Sequence, residues 1–311
     1  MNRMNRFFVP LVITTLLGTA CIANARQEAF TTPDKEADVL IKATRSDDIE
    51  ALMKILGPDG KDIISSGDDV ADAAARQRFV TAYDARHKIA IDKNNKAIIV
   101  IGDEDFPFPI PIFRRNGAWQ FDTLAGRAEI LFRRIGRNEL DAIQACLAYV
   151  DAQNEYAEED RTGVGAKIYA QRFMSQPGQR DGLYWPTSPG EELSPLGELF
   201  ADASAQGYGG GEGRNPYRGY YFKILTKQGA AAAGGAIDYV VRDKMIGGFA
   251  LVAYPAKYRN SGVMTFLVNH EGTVFQKNLG PDTGKIAERL TSFNPDSSWQ
   301  KVKVLDIELS R

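Results

Sequence analysis

Residue types suited to chemistry are thinly spread along this chain. Only two histidines, His87 and His270, occur among 311 residues, and the second lies in "SGVMTFLVNHEGTVFQKNLG", residues 261–280, beside Glu271. A histidine next to a carboxylate could act as a base or begin a metal site. A catalytic triad also needs a positioned nucleophile, and a metal needs further His, Cys or carboxylate ligands. No such partner is identifiable for His270. The flanking runs "GVMTFLV" and "TVFQKNL" are strand-like and are separated by "NHEG", so the stretch reads as a β-hairpin with His270 exposed in its turn. His87, just before a strand, reads as structural.

The other candidates are also weak as chemistry. Cys146 in "AIQACLAYV" follows Ile143 by three positions and precedes Val150 by four, which puts its thiol on the apolar stripe of a helix as a small hydrophobe. Asp103, Glu104 and Asp105 could meet a hard cation but lack the ligand spacing of a calcium loop, and a solvated turn accounts for them. Asp122 and Glu129 bracket the start of a helix with nothing to bring them together. The glycine tract "GYGGGEG", residues 207–213, lacks the Lys-Ser/Thr ending of a phosphate loop and reads as a connector. Arg133, Arg134 and Arg137 could bind an anion, although Glu129, Glu139 and Asp141 stand close enough in sequence to pair with them. Neither a Gly-x-Ser-x-Gly elbow nor a His-Glu-x-x-His helix occurs. The remaining site candidates are polar and aromatic groups at loops and element ends: Arg134, Asn138, Asp181, Tyr184, Trp185 and Tyr220. No cofactor and no metal is expected.

These residues must be held by elements of two kinds. After Pro33 the apolar series Val39, Leu40, Ile49, Leu52, Met53 and Leu56 predicts one or two amphipathic helices stopping at Gly57, and a further helix covers Asp69 to Asp84. "HKIAIDK", "KAIIVIG" and "GAWQFDT" follow as strands, which together predict a small helix-plus-curved-sheet domain over residues 26–125. Between them, "FPFPIPIF" carries three prolines that each remove a ladder donor, so it reads as an edge strand or an extended aromatic-proline strip. From residue 126 the chain turns helical, with Asn138 read as the N-cap of a new helix reaching about Asp160. Short helices are expected in "AKIYAQRFM", "PLGELFADASAQ" and "DTGKIAERLTSF". Strands are expected in "GYYFKILT", "GFALVAY", the hairpin and "WQKVKVLDIEL". The second domain thus spans 126–311, and the fold class is α+β.

Composition narrows the partners. With 38 basic and 40 acidic side chains the net charge is -2, which excludes a global field for recruiting nucleic acid. Asn2, Arg3 and Arg6 precede the apolar stretch Phe7 to Leu17, and Ala23-Asn24-Ala25 offers a small-residue cleavage site, so residues 1–25 read as a signal peptide cut after Ala25. The apolar run is too short to span a membrane, and no transmembrane helix is expected in the mature chain. Lipoprotein processing at Cys21, after Gly18-Thr19-Ala20, is the alternative. Either route places the protein in the periplasm or on its membranes.

Two resemblances add to this reading. The order of pieces from Asn138 onward, with "GYYFKI", "GFALVAYPA" and "SGVMTFLVNHEGTVFQ" after a helix, resembles the globular heads of pseudopilins and type IV pilin-like proteins. That implies a long helix packed on an antiparallel sheet. The hydrophobic N-terminal segment and this helix are separated by roughly 100 residues, so polymerisation is not implied. "WQFDTLAG", "RRIGRNEL", "DGLYWP" and "GGFALVAYPAKYRNSGVMTF" resemble the proteobacterial family catalogued as domain of unknown function 2950. That family has no established activity, so no catalytic residues carry over. The expected role is a non-catalytic binding or assembly factor that recognises an envelope protein through sheet edges and the "DGLYWP" loop. The competing expectation is a small-ligand carrier or enzyme with a pocket in the N-terminal domain, near Trp119 and Asp122.

Overall fold

The computed structural model describes residues 27–303 apart from 161–164, 189, 192, 207 and 209–214. The expected signal segment, Cys21, most of the glycine tract and the end of the chain after residue 303 lie outside the described residues.

The first helices begin where local chemistry directs. Helix α1 (Pro33–Arg45) is capped by the Thr32 hydroxyl, which accepts from the Lys35 amide at 3.2 Å, and has proline at its start. Helix α2 (Ile49–Leu56) is capped by Asp48 and ends at Gly57, whose φ of 69° suits glycine. A short α3 (Lys61–Ile64) leads to α4 (Asp69–Ala85), capped by Asp68. The strands β1 (His87–Ile91), β2 (Lys96–Ile101), β3 (Phe106–Pro107), β4 (Ile112–Arg115) and β5 (Ala118–Phe121) form an antiparallel sheet in the order β1-β2-β4-β5, with β3 also paired to β2. Ala97, Ile99 and Ile101 alternate along β2 and join Leu40, Leu52, Ile55 and Val80 in one hydrophobic core. The proline strip is therefore divided between two short strands, and its centre, Ile110, is fully buried.

Helix α5 (Thr123–Glu158) runs unbroken for 36 residues, which corrects the expected new start at Asn138. A glycine in a helix interior costs only about 1 kcal/mol relative to alanine, so Gly136 does not break the helix. At one end the Thr123 hydroxyl donates to the Leu56 carbonyl at 2.8 Å, and at the other Ala142, Cys146, Tyr149 and Val150 enter a second core. Asn138 is interior to the helix, and its amide donates to the Ser261 carbonyl at 2.9 Å.

The second core is built on another antiparallel sheet. After α6 (Gly197–Ala205) come β6 (Tyr220–Leu225), β7 (Lys227–Gln228), β8 (Ile237–Asp238), β9 (Val240–Val241), β10 (Lys244–Met245), β11 (Ala250–Pro255), β12 (Met264–Asn269), β13 (Phe275–Asn278), α7 (Thr283–Arg289), β14 (Ser292–Phe293) and β15 (Gln300–Lys301). The main sheet has the order β15-β13-β12-β11-β6, and the second half of α5 packs on β11 and β12. Strand β11 is buried along its whole length, as its unbroken apolar run requires. Smaller sheets join β14-β7-β8 and β10-β9. Helices and antiparallel sheets together make the chain α+β. The segment 166–174 is irregular instead of helical, held where Tyr169 bridges to Met245.

The hairpin of the opening residues is present, with Met264 opposite Asn278 and Leu267 opposite Phe275. His270 follows β12 directly but is half-buried, not exposed. Its ring meets Tyr239 and Phe249 edge-on, and a Cβ on Gly248 would lie 2.7 Å from its Nδ1. His87 stacks on Tyr83 at 3.8 Å and its Nδ1 bonds the Tyr83 carbonyl, a structural role.

Candidate functional site

Two helical faces of matching spacing look at each other across a cleft. On α4 the residues Ala71, Ala74, Ala75, Arg78, Phe79 and Ala82 recur at helical intervals; on α5 the series Ile130, Arg133, Arg134, Arg137, Asn138 and Asp141 does the same. The alanines of α4 leave space where larger residues would close it. The result is a cleft of about 720 Å³, within the range of small-molecule sites. Its floor is the first hydrophobic core, reached through Leu52, Leu56, Ile64, Phe108 and Ile130.

Among the described residues six arginines line this cleft, with Asp72 and Asp141 as the only carboxylates and no lysine. Arg76 pairs with Asp47. Arg133 pairs with Glu129 at 2.6 Å and lies 4.8 Å over the Phe106 ring. Arg134 is spent on structure: it donates to the Asp62 carbonyl at 2.6 Å, and also to the Ile63 carbonyl and the Asn260 amide oxygen. Burial lowers its basicity, and nearby Asp72 and Asp62 oppose that effect. Arg218 pairs with Asp141 at 3.0 Å. Arg78 and Arg137 make no ion pair or hydrogen bond with any described residue. The expected pairing of Glu139 with the arginine cluster is not found: its carboxylate accepts from the Val263 and Met264 amides at 2.8 and 3.0 Å.

The wall beside Arg218 is held by a buried polar node. Asp68 is 2% exposed; its carboxylate accepts from the Ala71 amide at 2.9 Å, the Tyr208 hydroxyl at 3.0 Å and the Gly219 amide at 2.6 Å. Tyr208 in turn accepts from the Arg218 amide at 3.2 Å. Burial chiefly raises the Tyr208 phenol's pKa, so it serves here as a neutral donor and acceptor. Deeper in, Asp72 accepts from the Ser66 amide at 2.7 Å, and burial raises its carboxyl above the ordinary range. A second node, where Asp62 meets Arg127 and Lys257, ties α5 to the turn after β11; the hydrogen bond from Lys257 is the main cause of its lowered pKa.

The six residues selected from sequence do not form one site. Arg134 and Asn138 line the cleft. Tyr220 is fully buried in the second core, its hydroxyl donating to the Met264 carbonyl at 2.9 Å. Asp181 locks a turn by accepting from the Gln176 amide and pairing with Arg172. Tyr184 stacks on Phe200 at 4.4 Å and Trp185 lies in the second core, so the "DGLYWP" aromatics pack the fold and offer no free anchor. Trp119 is a core residue bridged to Phe30, and Asp122 caps α5; neither lines the cleft. Sequence reading missed Arg78 and Arg218, which only the tertiary fold brings to Arg137.

The cleft's lining contains no histidine or cysteine, and Cys146 lies fully buried elsewhere with its thiol pushed up to about 12 by burial. Among the described residues no group of three or more His, Cys, Asp or Glu side chains is placed to hold a metal ion, and no helix is long and apolar enough to cross a membrane. What the arrangement offers is an apolar floor beneath guanidinium groups.

An α+β chain with an arginine-rimmed cleft is the class that fold and site define. Over residues 27–302 it matches the model of the family described as protein of unknown function (DUF2950), and it belongs to that family. No curated protein and no solved structure matches the chain.

Proposed function

We propose that this is an exported envelope protein that works by binding, not by catalysis, and that its ligand occupies the cleft between α4 and α5. The observation that carries the reading is the cleft itself: about 720 Å³ with an apolar floor and six arginines. The one serine among the described residues of its lining, Ser66, is buried with its hydroxyl against the buried Asp72, out of reach of a ligand in the open cleft, which favours a carrier over an enzyme. The export part rests on the charged, apolar and small-residue order of residues 1–25. The helix-on-sheet arrangement of the second core accords with a pilin-like head, though helices cross antiparallel sheets in many folds.

A ligand of the native state raises the melting temperature. The test is native mass spectrometry of the mature protein for co-purifying small molecules, followed by thermal shift with those found. Ala75→Trp, which fills the space between the helices, is expected to abolish both retention and shift. A shift that survives in Ala75→Trp would place the ligand elsewhere. A recovered protein partner without any small molecule would favour the assembly role instead.

A further inference from the structure

We infer that the cleft's ligand is an anionic amphiphile, its phosphate or carboxylate head held by Arg78 and Arg137 and its apolar tail laid along the floor. The inference rests on the cleft being the binding site, as proposed above.

Charge accounting is the first argument. The whole chain is slightly acidic at -2, yet the lining sets six arginines against two aspartates. Four of the six are committed: Arg76, Arg133 and Arg218 to carboxylates and Arg134 to carbonyl and amide oxygens. Arg78 and Arg137 remain, one from each helix, with no partner among the described residues. Burial is the main cause of the lowered basicity of Arg78, and the charges of Arg137 and Arg218 stand close enough to add to it. Cations that repel one another beside a low-dielectric wall are relieved by an anion, and guanidinium groups fit carboxylate and phosphate oxygens in paired hydrogen bonds. The absence of lysine from the lining fits that geometry.

The floor supplies the second argument. The same lining that carries the arginines includes the apolar side chains of Phe79, Phe108, Ile130 and Leu56. A free inorganic anion would leave this apolar surface wet, whereas a tail covering it gains about 25 cal/mol per Å² removed from water.

The test uses the full mature chain and a matched set of probes: dodecyl phosphate, dodecanol, laurate, methyl laurate and inorganic phosphate, below micellar concentration, by calorimetric titration. Dodecyl phosphate and laurate are expected to bind at least about tenfold more tightly than their uncharged counterparts. In Arg78→Gln/Arg137→Gln that margin is expected to vanish while dodecanol affinity holds; Arg137→Gln alone should halve the margin in free energy if the pair fails to fold. Equal affinity for charged and uncharged chains, or a margin untouched by the variant, overturns the inference and leaves the cleft reading intact. Inorganic phosphate binding as tightly as dodecyl phosphate overturns the tail. If no probe binds and Ala75→Trp changes nothing, the cleft reading falls with it.

Discussion

The amide of Gly219 donates to the carboxylate of Asp68 at 2.6 Å, across 151 residues of sequence. The same carboxylate caps α4, so the start of the helix that forms one cleft wall is tied to the start of β6. Gly219 has φ 79°, and a Cβ there would lie 2.5 Å from the Asn138 amide nitrogen, so glycine is required both by conformation and by space. Asp68→Ala removes the cap and strands a buried amide, at an expected cost of about 2–4 kcal/mol. Asp68→Asn keeps the shape but must turn its amino group toward one of three donors, and about 1–3 kcal/mol is expected. Denaturant unfolding of both variants measures this; a cost under 0.5 kcal/mol, the level of an ordinary surface change, would show that the node is dispensable.

Glu36 predicts a pH dependence of stability. It is fully buried in the first turn of α1, its carboxyl oxygens lack hydrogen-bond partners, and burial raises its pKa from an ordinary 4.5 to about 8, opposed only by the Phe121 backbone. The unfolded chain loses this proton near pH 4.5 and the folded protein holds it to about pH 8. Stability is then full below the lower value and falls by about 1.4 kcal/mol per pH unit through the window. Asp72, also raised by burial, adds in the same direction. Glu36→Gln removes the titrating group, so the difference between variant and wild type should grow from pH 5 to pH 8 and then level off. Parallel stability curves would refute the assignment.

Two glycines of α5 should respond oppositely to alanine. A Cβ on Gly126 would lie 2.6 Å from the Pro109 carbonyl oxygen and 2.7 Å from the Ile110 Cα, where the proline strip crosses the helix. One on Gly136 meets nothing within 4 Å. Gly136→Ala is expected to stabilise by about 0.5–1 kcal/mol through helix propensity. Gly126→Ala gains the same propensity but must displace backbone, for a net loss of about 1–2 kcal/mol. Thermal unfolding of the pair separates the two effects; stabilisation by both would mean that the strip yields freely.

Periodicity made much of this fold legible. The helices at Pro33–Arg45 and Asp69–Ala85, the strands at Lys96–Ile101 and Ala250–Pro255 and the 264–278 hairpin all follow from apolar spacing and turn residues. Asn138 with Asp141 imitates a capping sequence inside a helix, because a cap signal is local whereas continuity is decided by packing on both sides. Arg133, Arg134 and Arg137 could be seen to cluster in sequence, although at an expected junction between two helices and not on one continuous helix. Arg78 could not be seen to oppose them, because nothing in a polar helix segment states which helix it will face. Tyr184 and Trp185 looked like a recognition loop for the same reason: exposure is a tertiary property, and Phe200 and the second core cover them.

Arg134 is where the two cores are joined, and its chemistry is specific to arginine. From the middle of α5 it reaches the carbonyls of Asp62 and Ile63 on one side and Asn260 on the other, while Asn260 donates to the Ser65 carbonyl at 3.0 Å. A planar fork can address these acceptors together, whereas a lysine ammonium is a single point on a flexible stem. Arg134→Lys is therefore expected to cost about 1–2 kcal/mol in spite of conserving charge, and Arg134→Ala about 2–4 kcal/mol because it leaves several carbonyls unsatisfied. If the side chain couples the cores, a double-mutant cycle with Asn260→Ala gives an interaction energy of about 1 kcal/mol or more. Calorimetry of Arg134→Ala should then show a broader unfolding transition than wild type, as the first core loosens ahead of the second. A zero interaction energy with an unchanged, sharp transition would mean that α5 alone carries the coupling, through the rigidity of its unbroken backbone.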